Sequence, residues 1–236
     1  LLERPVKFCA DRLEAFVSDN HAREAKVHGR MAVDADGRLT AMDVSVVSGF
    51  GAYSAYPRGS VGEALQAVHM VAAPYKMAHL RGRVRGYFQN KPPSGVLRAV
   101  GQPIATTVTE QLLDLAARRL SLDPAELRRR NYVDTATATA RSAGGIVLAE
   151  LSLERCHDRL LQLMDYATLR QQQRMHRDKG IYRGIGLAAF IEQTAVGPTL
   201  YGAQNVRASA QETCRLTLEA DGAIRAVVLT GRGDRA

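Results

Sequence analysis

Apolar and polar positions alternate on both sides of a polar break early in the chain. Val27, Met31 and Val33 take alternate positions, Asp34-Ala35-Asp36-Gly37 supplies a turn, and Leu39 to Val47 returns. That pattern predicts a β-hairpin over 27–48. It recurs near the end: Cys214, Leu216 and Leu218 alternate, Glu219-Ala220-Asp221-Gly222 turns, and Ile224 to Leu229 returns. From 49 to 103 there is little periodicity and much Gly, Pro and Tyr, with one strand expected from Leu80 to Phe88. A long irregular stretch of this kind usually carries a site or wraps a partner.

The period then changes. After Pro103, Ile104, Val108, Leu112, Leu115, Ala116 and Leu120 recur at helical spacing, and Pro suits a first helical turn. Asp123-Pro124-Ala125-Glu126 reads as a capped start, with Asp at N-cap and Pro at N1, opening a short basic helix to Arg130. Ser152 is expected to cap a helix to about Gln173, with Leu153, Cys156, Leu160, Leu163, Met164 and Ala167 on one face. Its tail, Arg170 to Lys179, reads as a solvated end, and Gly184 to Phe190 as a buried strand entering the last hairpin. The expected class is α+β, with mostly antiparallel hairpins and packed helices. Residues 134–147 are small and polar, so a linker is placed at 134–150 between domains at 1–133 and 151–236.

Composition narrows the function classes. The 236 residues are 46% apolar and 24% charged, which excludes disordered and collagen-like chains. No uncharged apolar run reaches the ~20 residues of a membrane helix. The opening Leu1-Leu2-Glu3-Arg4-Pro5 has no Met and no basic-then-apolar leader, so a processed chain or an excerpt of a longer one is expected. Cys9, Cys156 and Cys214 are few and far apart, which argues against a disulfide framework and predicts buried or idle thiols in a reducing cytoplasm. Net charge is +8, with Arg supplying 27 of the 32 basic residues. Phosphate recognition or a GC-rich genome would both give that bias. The basic residues are dispersed along the chain and aromatics are only 6%, so a nucleic-acid binder is the remote alternative.

The six His residues are scattered, and no metal-ligand spacing, nucleophile elbow, P-loop or dinucleotide fingerprint occurs. One segment stands apart. Asn90 to Pro103 joins the expected strand to the N-terminus of the long helix, where free amides and the positive helix end would converge on an anion or oxo group. Gly101 would allow close backbone approach, and Arg98 adds a fixed positive charge. A plain loop with an exposed Arg is the bland alternative.

Gly51-Ala52-Tyr53, Pro74-Tyr75, Asn90-Lys91, Arg98-Ala99-Val100-Gly101-Gln102-Pro103, Thr109-Glu110 and Leu122 to Asn131 follow one another in an order that resembles a known family. It is the molybdopterin-binding large subunit of xanthine dehydrogenase, aldehyde oxidase and carbon monoxide dehydrogenase. Gly184 to Ala188, Ile191-Glu192-Gln193-Thr194 and Gly197-Pro198 are similar to the start of that family's second cofactor domain. The resemblance implies a molybdenum hydroxylase of aldehydes or N-heterocycles, working by attack of a molybdenum-bound hydroxide and hydride transfer. It implies molybdopterin as cofactor, iron–sulfur and FAD subunits or domains as partners, a small-molecule substrate, and a cytoplasmic location, with periplasmic members known.

Residue by residue, the resemblance assigns Arg98, Ala99 and Gly101 to the cofactor, and Val100, Glu192, Gln193 and Thr194 to the substrate. It assigns no catalytic residue and no metal ligand. Val100 stands where purine-oxidising members carry a stacking aromatic, and Ala99 where CO-oxidising members carry Cys. The family's Gly-rich cofactor turn and its catalytic Glu have no counterpart here, and Glu63, Glu110 and Glu192 do not match that base. The expectation is an internal or truncated piece, inactive alone; a non-catalytic remnant or interaction module of the same fold is the alternative.

Overall fold

The first expected hairpin forms as drawn. Strands β1 (Ala25–Val33) and β2 (Leu39–Gly51) pair antiparallel, closed by Gly37 N donating to Asp34 O at 3.0 Å. In the computed structural model, which describes residues 4–55, 59–135, 138–193 and 213–229, strand β3 (His79–Phe88) lies beside β2 and parallel to it, giving the order β1-β2-β3. Parallel neighbours need a crossover, and helix α2 (Gly62–Met70) supplies it from within the stretch read as irregular. Ala64, Ala67 and Met70 recur every three residues and are buried. Pattern reading missed α2 because its sequence is short and preceded by Gly and Pro. A further short helix, α1 (Arg12–Ser18), buries no residue and is held by an Asp11–Glu14 capping box.

The long helix α3 (Gln102–Arg119) and the short α4 (Pro124–Asn131) match expectation, and the Asp123 carboxylate caps α4 by accepting the Ala125 amide at 2.8 Å. Met42, Val44 and Val46 point from β2 into a core shared with Ala64, Met70 and Ala105 of α2 and α3. A second core joins Leu39, Leu113, Ala117 and Leu127 to the stacked rings of Tyr75 and Tyr132. Residues 138–150 carry a two-residue ladder, β4 (Ala140–Arg141) with β5 (Val147–Leu148), in which Leu148 is buried.

Three expectations change. The helix from Ser152 is two helices, α5 (Leu153–Leu163) and α6 (Tyr166–Asp178), because Asp165 takes a left-handed φ of 48° between them; the Ser152 side chain makes no cap bond. Gly184–Phe190 is no ladder strand: Ile185, Leu187 and Ala189 are half-buried while the residues between them are exposed, so one edge only packs inward. The three cysteines are free but exposed rather than buried.

The chain divides into two compact units, Leu1–Ile191 and Glu192–Ala236. In the second, β6 (Thr213–Leu218) and β7 (Ile224–Leu229) form the expected hairpin, with Gly222 N donating to Glu219 O at 3.0 Å. Among the described residues, the named strands pair antiparallel except β2 with β3, an isolated bridge between His21 and Ser94 is also parallel, and the class is α+β. No helix among them is long and apolar enough to cross a membrane.

Candidate functional site

The segment singled out in the sequence is a tight turn at the head of α3. Ala99 and Gly101 both have left-handed backbones, with φ of 62° and 71°. Ala99 O accepts the Gln102 amide at 2.9 Å, and Gly101 O accepts that of Ala105 at 3.0 Å, which starts the helix. Glycine is needed at 101 for a second reason: a Cβ there would run into Ala67 N and lie 2.7 Å from Gln66 C and 2.8 Å from Glu63 O. Its close approach is therefore to the backbone of α2.

Two charged side chains fasten this turn from below. Glu63 Oε1 accepts the Gly101 amide at 3.0 Å and Arg23 Nε at 2.9 Å, and the Glu63 side chain is only 5% exposed. Arg23 reaches on, its Nη2 donating to the carbonyls of Arg98 and Ala99. A carboxylate at a helix N-terminus is favourable because the amides there are unpaired and the dipole is positive. The protein thus places its own anion where the Gly101 amide points. The second carboxylate oxygen of Glu63 is buried and makes no hydrogen bond among the described residues.

What the turn keeps for the outside is its crest. Among the described residues the amides of Ala99 and Val100 make no hydrogen bond. Ala99 and Val100 are half-buried and Arg98 is exposed. Two amides and a guanidinium on a turn pinned from beneath form a donor set suited to an oxo or phosphate oxygen. Reading the sequence identified the crest but missed Arg23 and Glu63, whose pairing spans 40 residues and has no local signature.

Farther down α3 a buried polar network holds the helix that carries the turn. Glu110 Oε1 accepts the Tyr75 hydroxyl at 2.7 Å and Oε2 accepts Arg128 Nε at 2.7 Å. Arg128, fully buried, also donates to Asp114 Oδ1 at 2.9 Å and Pro124 O at 3.0 Å. Burial pushes the Glu110 carboxyl up; Arg128 and Tyr75 pull it down, and burial wins. Burial also pushes up the Tyr75 hydroxyl, with the Glu110 charge adding to it, and raises Tyr132 to about 12. Tyr132 OH pairs with His157 Nδ1 at 3.0 Å, and burial lowers the His157 pKa. Thr109 adds a local tie, its Oγ1 accepting the Ala72 amide at 3.0 Å. These interactions are structural ties among α3, α4, α5 and the 71–75 loop.

The remaining candidates, Glu192, Gln193 and Thr194, follow Ile191. Glu192 is exposed and Gln193 half-buried, and both open the second unit. Thr194 lies outside the described residues. Among the described residues no group of three or more His, Cys, Asp or Glu side chains could hold a metal ion.

Residues 1–132 match the family model of the molybdopterin cofactor-binding domain. The chain is 28% identical to the nicotine 6-hydroxylase large subunit of Paenarthrobacter nicotinovorans, over 94% of this chain and 27% of that protein. It is 27% identical to the carbon monoxide dehydrogenase large chain of Hydrogenophaga pseudoflava, over 84% of this chain and 25% of that protein. Among solved structures, quinoline 2-oxidoreductase from Pseudomonas putida 86 superposes with a TM-score of 0.81 at 27% identity, covering 94% of this chain and 28% of the other. The chain spans about a quarter of the length of the curated relatives it matches.

Proposed function

The chain belongs to the molybdopterin cofactor-binding domain family, in the large subunits typified by xanthine and carbon monoxide dehydrogenases, and on that premise we propose that it serves a molybdenum hydroxylase acting on an N-heterocycle or aldehyde. The observation that carries the proposal is the family match over residues 1–132, which contains the whole Arg98–Gly101 turn. Molybdopterin is the cofactor of this domain family. When bound, it supplies two-electron oxidation of an electron-poor carbon with oxygen taken from water.

The residues fit such a group. Its oxo and phosphate oxygens need donors, and the crest offers the Ala99 and Val100 amides and the Arg98 guanidinium. Arg98 and Ala99 would hold the cofactor. Gly101 would set the turn through its packing on α2, while Arg23 and Glu63 hold the carbonyl side still. Val100 beside that crest gives a small apolar wall to a substrate; Glu192, Gln193 and Thr194 are assigned to the substrate by resemblance. With Ala at 99 and Val at 100, neither CO chemistry at a Cys nor an aromatic stacked on a purine is supported by this turn. The names of two relatives, a nicotine hydroxylase and a quinoline oxidoreductase, favour an N-heterocycle over an aldehyde.

In this reading residues 1–133 belong to the first cofactor domain and 151–236 begin the second, with iron–sulfur and FAD subunits or domains accepting the electrons. The test is Arg98→Ala in the complete protein, with molybdenum per chain and turnover of N-heterocycles measured together. Loss of both is expected. Unchanged molybdenum content and turnover would remove Arg98 from the cofactor site, and no molybdenum in the wild-type protein would leave a remnant of the fold without its chemistry.

A further inference from the structure

The arginines that look dispersed in the sequence are brought together by the sheet. Side chains on a strand alternate between faces. In β2, Met42, Val44 and Val46 face the core, so Ala41, Asp43, Ser45 and Val47 face the other way. The register sets Arg30 and Arg81 on either side of Asp43, and Lys26 and Arg85 on either side of Val47, with Arg83 beside Ser45. All five cations are exposed. Asp43 is the only carboxylate among the described residues of these three strands. The face therefore carries four net positive charges, half the formal +8 of the whole chain.

Asp43 organises the cluster rather than neutralising it. Its Oδ2 accepts Arg30 Nη2 and Arg81 Nη2, each at 2.6 Å, while Arg83 Nη2 lies 3.6 Å from Oδ1. Hydrogen bonds from Arg81 and Arg30 hold its carboxyl well below the usual carboxylate range. The guanidiniums are thus fixed in place with donors left over, since each has five N–H groups. Lys26 and Arg85 make no ion pair among the described residues. The floor between the two basic strands is short and partly apolar, and Tyr87 stands exposed at one end of the same face.

We propose that this face of the β1-β2-β3 sheet is a docking surface for an acidic protein surface, that of a partner subunit of the hydroxylase. The assignment rests on the functional reading above, which supplies the partner. Four of the five cations are Arg, and a Tyr borders them; Arg and Tyr are the residues enriched at protein interfaces, where Lys is depleted. A half-buried central carboxylate, already held by the guanidiniums beside it, suits opposing carboxylates that bridge the outer guanidinium edges. It disfavours a continuous phosphate backbone laid along the middle of the sheet. The cations stand ~7 Å apart along β3, and ~13 Å apart along β1, spacings that match carboxylates presented on an opposing strand or helix.

The experiment uses the complete subunit co-expressed with its partner subunits, as wild type, Arg83→Glu with Arg85→Glu, and the milder Arg83→Ala with Arg85→Ala. Both positions are exposed, and molybdenum content reports that the subunit has folded and loaded. The expected result is unchanged molybdenum, partner affinity at least about tenfold weaker in the Glu pair and less so in the Ala pair, and wild-type affinity that falls as salt rises. A carbodiimide cross-link from Lys26 to an acidic residue of a partner chain would support the proposal. Partner affinity equal in all three proteins would overturn it. So would a Lys26 cross-link to another part of the same polypeptide, or tight wild-type binding of a single-stranded oligonucleotide that both variants lose. A wild-type protein without molybdenum would sink the functional reading alone, because partner retention by the wild type and its loss in the Glu pair would still uphold the surface.

Discussion

The Glu63 carboxylate accepts the Gly101 amide at 3.0 Å. A residue on the crossover helix thereby fixes the amide of the residue that caps the helix following the candidate cofactor turn. The same oxygen holds Arg23, which clasps the carbonyls of Arg98 and Ala99. The crest can present its amides outward because its carbonyls are held from the other side.

Removing the anion should loosen the turn before it unfolds the sheet. Glu63→Ala leaves the Gly101 amide and the Arg23 guanidinium without their buried acceptor, a loss of about 3 kcal/mol. Glu63→Gln keeps an acceptor for Gly101 and should cost about 1 kcal/mol. Denaturant midpoints and molybdenum content of the complete protein check both. Equal midpoints for Ala and Gln would show that the hydrogen bond to Gly101 is dispensable, and a Gln midpoint equal to wild type would show the same of the charge.

Two glycines with similar backbones should respond very differently to alanine. Gly101 and Gly145 both have positive φ, 71° and 87°. At 145 a Cβ meets nothing within 4 Å, whereas at 101 it would strike the backbone of α2. Gly145→Ala should cost about 1 kcal/mol from the left-handed backbone alone. Gly101→Ala adds a clash with main chain that cannot rotate away, and should cost at least about 3 kcal/mol and much of the bound molybdenum. Thermal unfolding of the two variants side by side separates strain from clash.

How far the sequence could be read follows the range of each interaction. The alternation from Val27 to Val47, the 3.6-residue repeat after Pro103 and the Asp123 cap are local, and each produced its element. The parallel pairing of β2 with β3 was not legible, because it depends on α2, whose three buried apolar residues are too few to rise above the Gly- and Pro-rich stretch before it. The crest at Arg98–Val100 was visible as a strand-to-helix junction. Its supports were not, since Arg23 and Glu63 meet only after the sheet and crossover have formed. The basic face was hidden for the same reason: alternate cations on β1 and β3 become one surface only through register.

His157 should make the protein less stable in mild acid. It is buried against Tyr132, and burial lowers its pKa from the ordinary 6.5, so the native state favours the neutral ring. The unfolded chain then binds more protons between the native pKa and 6.5, and stability falls as pH drops through that window. Above 6.5 the contribution is fully present. His157→Phe, which keeps a ring against Tyr132, should flatten this part of the stability-against-pH curve. An unchanged curve would place the acid sensitivity elsewhere, among carboxylates that titrate lower.

The Arg128–Glu110 pair should prove more costly to break than to replace. Arg128 is fully buried, and its Nε sits 2.7 Å from Glu110 Oε2, with Tyr75 on the other oxygen. Arg128→Met leaves Glu110 buried against an apolar neighbour, and the loss of one partner of such a pair costs about 3–5 kcal/mol. Glu110→Leu alone takes the buried carboxylate from the guanidinium, which keeps Asp114 and the carbonyls of Pro124 and residue 110, and should cost a similar amount. With both changes no buried charge is left unpaired, and the remaining losses are the hydrogen bonds from the Tyr75 hydroxyl and the Ala189 amide, about 1 kcal/mol each. The double variant should therefore be more stable than either single one, a coupling of several kcal/mol read from denaturant midpoints in a double-mutant cycle. Simple additivity would mean that water reaches this network and that the pair does not anchor α3 beneath the turn.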